Sequence, residues 1–122
     1  MCIFCRMESS RVITSNELAY VIYDGFPVTE HHCLIIPHRH AETYFDLTIE
    51  EREACHQLII DMKSAIEDMD KSVDGFNIGM NSGSSAGQTV FHCHIHLIPR
   101  RTGDVENPRG GVRGVIPAKQ QY

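Results

Sequence analysis

The chain has 122 residues, 42% of them hydrophobic and 22% charged, which suits one globular domain that buries a core without disulfides and excludes a disordered or fibrous chain. Its formal net charge of −5 argues against a general nucleic-acid binder, which needs a basic surface to displace counterions from phosphates, and leaves small phosphorylated ligands open. Apolar runs such as Cys33 to Pro37 are too short to cross a bilayer, and no basic start followed by an apolar stretch marks a signal peptide, so a cytoplasmic protein without membrane contact is expected.

The chain opens on Cys2-Ile-Phe-Cys5, a C-x-x-C spacing compatible with redox, metal-binding or incidental cysteines. Five cysteines without an export signal read as thiols or metal ligands rather than disulfides. Cys33, Cys55 and Cys93 stand among aliphatic residues and read as small buried hydrophobes. Leu18 to Asp24 and Cys33 to Pro37, rich in β-branched and aliphatic residues and separated by a turn region with Gly25 and Pro27, read as paired strands. Thr48 and Glu51 then form a T-x-x-E capping box. Cys55, Leu58, Met62, Ile66, Met69 and Val73 recur at three- and four-residue steps, so one amphipathic helix follows, expected to stop at Asp74-Gly75. Phe76 to Asn81 and Thr89 to Pro99 read as two more strands around a polar loop, Ser82 to Gln88. The class is α+β, with the helix packed behind an antiparallel sheet.

The last of these strands carries the chemistry. Side chains alternate along a strand, so His92, His94 and His96 share one face, about 7 Å apart at each step, while Cys93, Ile95 and Leu97 point to the core. Three imidazoles on one face beside a Gly-Gln-Thr loop suit an anion, a metal, or both.

The run His92-Cys-His94-Ile-His96-Leu-Ile resembles the signature of the histidine triad family. Asn81-Ser-Gly-Ser-Ser-Ala-Gly-Gln88-Thr89 resembles the phosphate loop of that family, and Asp24 with His32-Cys-Leu-Ile-Ile-Pro37 its first hairpin. The resemblance spans residues 2 to 101. It implies a single domain over residues 1–122, in which an antiparallel sheet of about five strands carries one long helix, with residues 102–122 as a tail. It also implies a nucleotide hydrolase or nucleotidyl transferase in which His94 attacks an α-phosphorus and forms a nucleotidyl-histidine. His94 must then be held in one tautomer, with the backbone of His92 as the acceptor. His96 would assist the leaving group, and Gln88, Thr89 and their amides would hold the phosphate oxygens. Asn81 and His32 would complete the polar shell, Asp24 would accept the ribose hydroxyls, and Ile3, Phe4 and Ile22 would line the base pocket.

Zinc-bearing members of the family carry counterparts of Cys2, Cys5, His40 and His92, which implies a closed structural zinc site. His38 and His31 remain competitors for the place of His40. The resemblance further implies a homodimer acting on a small-molecule nucleotide. It leans toward the branch that cleaves dinucleoside polyphosphates, with Arg100, Arg101, Arg109 and Arg113 expected near distal phosphates. The alternatives are a purine nucleoside phosphoramidase, a non-catalytic nucleotide sensor, and a metalloenzyme using His92, His94 and His96 as three zinc ligands.

Overall fold

A computed structural model describes residues 2–122. Five strands form one antiparallel sheet in the order β1-β2-β3-β5-β4: β1 Val12–Ser15, β2 Ala19–Tyr23, β3 Cys33–Pro37, β4 Gly75–Gly79 and β5 Ile95–Arg100. One helix, α1 Ile49–Met69, crosses one face. No described helix is long and apolar enough to cross a membrane.

The expected class and layering therefore hold, with three local differences. β1 was not singled out by pattern, because it is a four-residue outer strand whose side chains alternate between half-buried and exposed, with none buried. The helix stops at Met69 rather than Asp74-Gly75, since the Asp70 carboxylate accepts the Ser72 amide and hydroxyl and draws the chain into a turn. Met69 is consequently half exposed, and Val73 enters the core from the loop beyond. Pairing of the last strand begins at Ile95, not Thr89. The segment before it is anchored by the Cys93 amide on the Ala41 carbonyl at 2.7 Å.

Alternation divides the sheet into two faces. Val21, Cys33, Ile35, Cys93, Ile95 and Leu97 pack against Cys55, Leu58, Met62 and Ile66 of the helix, forming the main core. On the opposite face Tyr20, Ile22, Leu34 and Ile36 form a smaller apolar layer roofed by Phe4. The register sets Leu34 beside His96 and Gly79 on its other side, so His96 of β5 emerges on this second face, away from the helix.

The helix also steadies the loop after β3. The expected capping box is present, with the Glu51 amide donating to Thr48 Oγ1 at 3.1 Å and the Thr48 amide to Glu51 Oε1 at 2.9 Å. Glu51 is buried and receives Arg39 through two bonds of 2.8 and 3.0 Å. The Arg39 guanidinium holds the Glu51 carboxyl down to about 2, against its burial. This pair fastens the residue next to His40 to the first turn of α1, a positioning role that the sequence pattern did not reveal.

Candidate active site

Each imidazole on the second face has its proton located by a partner whose role is fixed. The Nδ1 of His94 lies 2.8 Å from the His92 carbonyl oxygen. A carbonyl only accepts, so Nδ1 carries the proton and Nε2 keeps a free lone pair. His32 is the reverse case: the Val28 amide donates to its Nδ1 at 3.0 Å, which places the His32 proton on Nε2. That proton points at His96 Nδ1, 2.9 Å away, so His96 carries its own proton on Nε2. Burial lowers the pKa of both His32 and His96, partly opposed by Asp24, and the neutral forms on which this assignment rests are favoured. His94 and His96 stand with ring centroids 5.4 Å apart. One offers a lone pair and the other a proton.

His92 faces elsewhere. Its Nε2 donates to the Pro37 carbonyl at 2.8 Å, leaving Nδ1 unprotonated at 3.3 Å from Cys2 Sγ and 3.5 Å from Cys5 Sγ, while His40 Nδ1 lies 3.4 Å from Cys5 Sγ. A tetrahedron with Zn–S and Zn–N bonds of about 2.3 and 2.0 Å has edges of about 3.5 Å, so these separations fit a common ion. The donor set of two thiols and two imidazoles is also the one that zinc favours, and His92 makes the outer hydrogen bond to a carbonyl that metal-bound imidazoles make. Partial desolvation and then the adjacent Cys2 thiol push the Cys5 thiol above its ordinary value, a tendency that a cation between the two sulfurs would reverse. Of the competing histidines, His38 stacks on Tyr20 and lies 3.2 Å from the Asn16 carbonyl, and His31 sits between Glu30 and Asp70. The cluster comprises Cys2, Cys5, His40 and His92.

Asp24, His32 and His96 also converge closely enough to suggest a metal site, but the same test fails there. With a backbone amide donating to His32 Nδ1, ligation through Nε2 would require an imidazolate, so this group is a hydrogen-bonded chain. His92, His94 and His96 each aim at a different partner and do not form the three-histidine zinc site of the metalloenzyme alternative.

The remaining expected residues divide. Asp24, His32, Asn81 and His96 line one cleft of about 770 Å³. Asp24 accepts the Phe26 amide at 2.8 Å, and its other oxygen lies 3.4 Å from His32 and 3.8 Å from His96. Phe4 lies edge-on to His94 at 5.1 Å and shares a buried apolar cluster with Ile22, while Ile3 is exposed; none of these three expected base-pocket residues lines the cleft.

Gln88 differs from expectation too. It is buried, with Oε1 accepting the Gly83 amide and Nε2 donating to the Glu42 and Val90 carbonyls. Its side chain shapes the loop rather than facing a ligand. The Gly87 and Gln88 amides are engaged within the loop, which depends on left-handed φ values of +94° at Gly83 and +96° at Gly87. Thr89 stays exposed at its end.

The arginines expected near distal phosphates are also engaged. Arg100 makes two 2.8 Å bonds to Asp104 and one to Asn77. Arg101 binds Asp70 at 2.8 Å, and Arg109 and Arg113 lie over the Tyr122 ring at 4.7 and 4.9 Å.

A sheet face that pairs a lone-pair imidazole with a proton-bearing one, beside a four-donor thiol and imidazole cluster, defines a histidine-based site on an α+β scaffold. The model of the HIT domain matches residues 6–103, and the chain belongs to that family. It is 31% identical to an uncharacterized HIT-like protein of Saccharolobus solfataricus, over 99% of this chain and 86% of the relative. It is 34% identical to the bis(5'-adenosyl)-triphosphatase of Dictyostelium discoideum, over 83% of this chain and 67% of that protein. Among solved structures, a zinc-bound histidine triad family protein from Mycobacterium smegmatis superposes with a TM-score of 0.77 at 34% identity, covering 84% of this chain and 77% of that one.

Proposed function

We propose that the protein cleaves the α-phosphate linkage of adenine nucleotides through a nucleotidyl-histidine formed on His94. The observation that carries this reading is the opposed tautomers of His94 and His96. The His94 Nε2 lone pair attacks the α-phosphorus as the bond from phosphorus to the leaving oxygen breaks, and the electron pair departs with the leaving group. As positive charge develops on His94, its Nδ1–H bond to the His92 carbonyl strengthens. His96 directs its Nε2 proton toward the phosphate or leaving atom, and His32 keeps it there. Water then attacks the same phosphorus, releasing the nucleoside monophosphate and restoring His94. Asn81 and Thr89 hold phosphate oxygens, Asp24 accepts ribose hydroxyls, and Phe4 packs against His94. Gln88 acts indirectly, by holding the loop.

Dinucleoside polyphosphates are the proposed substrates, a reading supported by the Dictyostelium relative. Arg100 no longer supports it, since Asp104 neutralises that charge. Nucleoside phosphoramidates are the second reading, favoured by the proton on His96, because an amine must be protonated to leave.

We assign zinc to Cys2, Cys5, His40 and His92. With four protein ligands it has no open position, and its contribution is structural, tying the N-terminus to the chain beside His94. A homodimer belongs to the same proposal, consistent with the free edge of β4 and with exposed Ile60 and Met69 on α1.

The test is rapid acid quench of the enzyme with nucleotide labelled at the α-phosphate. Label bound to His94 and stable to alkali is expected. Turnover without labelled protein would overturn the proposal, as would nucleotide binding with no turnover of either substrate class, which would mark a sensor.

A further inference from the structure

The thiols of the chain divide by exposure. Cys33, Cys55 and Cys93 are no more than 2% exposed and are closed to solutes, whereas Cys5 is exposed and Cys2 half-buried. The sulfurs of Cys2 and Cys5 belong to a cluster whose ligand atoms all lie within 4.8 Å of one another. The chain turns through residues 3–6, and the ends of such a turn stand within about 7 Å between Cα atoms, the span that a disulfide bridges. This pair is therefore placed for a bond to each other without any movement of the sheet.

The residues around the two thiols tie such a bond to His94. Phe4 stands between them in sequence and is buried. Its carbonyl accepts the Tyr20 hydroxyl, and its ring stands edge-on to His92 at 5.9 Å and to His94 at 5.1 Å. His92 is shared in another way: its Nδ1 faces both sulfurs, while its carbonyl accepts the Nδ1 proton of His94. Both contacts that orient the His94 ring thus come from residues attached to the thiol cluster.

We propose that Cys2 and Cys5 are a site of reversible oxidation by hydrogen peroxide, whose disulfide frees the metal and loosens His94. The consequences rest on the zinc and His94 readings above; formation of the bond does not. The exposed Cys5 thiolate attacks one peroxide oxygen, the O–O bond breaks, hydroxide leaves and a sulfenic acid forms. The Cys2 thiolate then attacks the Cys5 sulfur and expels a second hydroxide. Two electrons pass from sulfur to oxygen, so two thiolates and one peroxide give one disulfide and two hydroxides. His40 and His92 alone are too few to retain a tetrahedral ion. Closing the sulfurs to about 2.05 Å also contracts the turn that carries Phe4.

The experiment treats the zinc-loaded protein with hydrogen peroxide. Thiols are followed by alkylation and mass spectrometry, zinc by a chromogenic chelator, and His94 by nitrogen-15 shifts. Cleavage after Arg6 isolates residues 1–6, which should be lighter by two hydrogens, while Cys33, Cys55 and Cys93 still alkylate after unfolding. About one zinc per chain should be released, and the His94 resonances should shift. Turnover of a diadenosine polyphosphate should fall about two- to tenfold, the worth of an edge-on aromatic contact, and dithiothreitol with zinc should restore it. Prior oxidation of a buried thiol, sulfinic acid at Cys5 in place of a disulfide, or a disulfide that leaves the His94 resonances unmoved would overturn the proposal. So would a peroxide-induced shift of those resonances in Cys5→Ser, which cannot form the bond. Protein that carries no zinc as purified would refute the zinc assignment alone, and absent turnover the catalytic reading alone. In both cases the disulfide and the His94 shift still decide this inference.

Discussion

Replacing His32 by Asn isolates the contribution of the hydrogen-bonded chain. The Asn Oδ1 occupies roughly the place of the imidazole Nδ1 and retains the Val28 amide, but nothing remains at the Nε2 position to donate to His96 Nδ1. The lost bond is 2.9 Å long and comes from a side chain that is 1% exposed. Leaving such an acceptor unpaired costs about 1–3 kcal/mol, and His96 is then free to move its proton to Nδ1. For a leaving amine, which needs that proton in the transition state, kcat should fall about 10- to 100-fold, at roughly tenfold per 1.4 kcal/mol. For a dinucleoside polyphosphate, whose leaving nucleotide departs as an anion, kcat should fall no more than about threefold. The assay is single-turnover kinetics on a diadenosine polyphosphate and an adenosine phosphoramidate, with nitrogen-15 shifts reporting the His96 tautomer. Equal losses on both substrates, or an unchanged His96 tautomer, would refute the argument that His32 acts through a proton on His96. A melting temperature recorded alongside separates lost folding, which would lower both rates together.

His94→Ala should retain nucleotide binding and lose turnover by several orders of magnitude, together with all alkali-stable label; turnover within tenfold of the original removes the nucleophile assignment. Protein purified without added metal should contain about one zinc per chain by elemental analysis. Cys5→Ser should lower both zinc content and melting temperature, whereas an equally stable metal-free protein would contradict the site. The His32 and His96 resonances should titrate below the ordinary value of 6.5, burial being the main cause. Asp24→Asn should lower both further, because its carboxylate raises them, and an upward shift would refute the contact. With folded values depressed, the stability these two groups contribute is complete above pH 6.5 and lost as pH falls through their folded values, which melting curves from pH 7.5 to 5 would register.

The partition between faces was legible in the sequence because it is local. Alternation from Cys93 onward sends Ile95 and Leu97 to the helix and His94 and His96 to the opposite face even though the ladder starts only at Ile95. The capping box at Thr48 and Glu51 involves neighbours three residues apart and was read correctly. The end of the helix was not, because Asp70 stops it through a side-chain turn stabilised further by Arg101, a residue distant in sequence. Gln88 and Arg100 were read as facing a ligand because their type permits it. Whether a polar side chain faces a ligand or its own fold depends on partners such as Glu42 and Asp104, which no spacing announces.

By itself the sequence determined the α+β class, the histidine-bearing face and the inventory of thiols and imidazoles available to a metal, since these follow from residue type and short-range periodicity. Only the tertiary structure decided which nitrogen of each imidazole carries its proton. That depends on the Val28 amide, the Pro37 and His92 carbonyls, and the strand register that sets His32 against His96 across 64 residues of chain. The same folding brought Cys2 and Cys5 to His92 and turned a glycine-rich tail into a wall of the cleft. Hydrogen-bond direction and cavity shape arise where distant segments meet, so they become readable only once those segments have met.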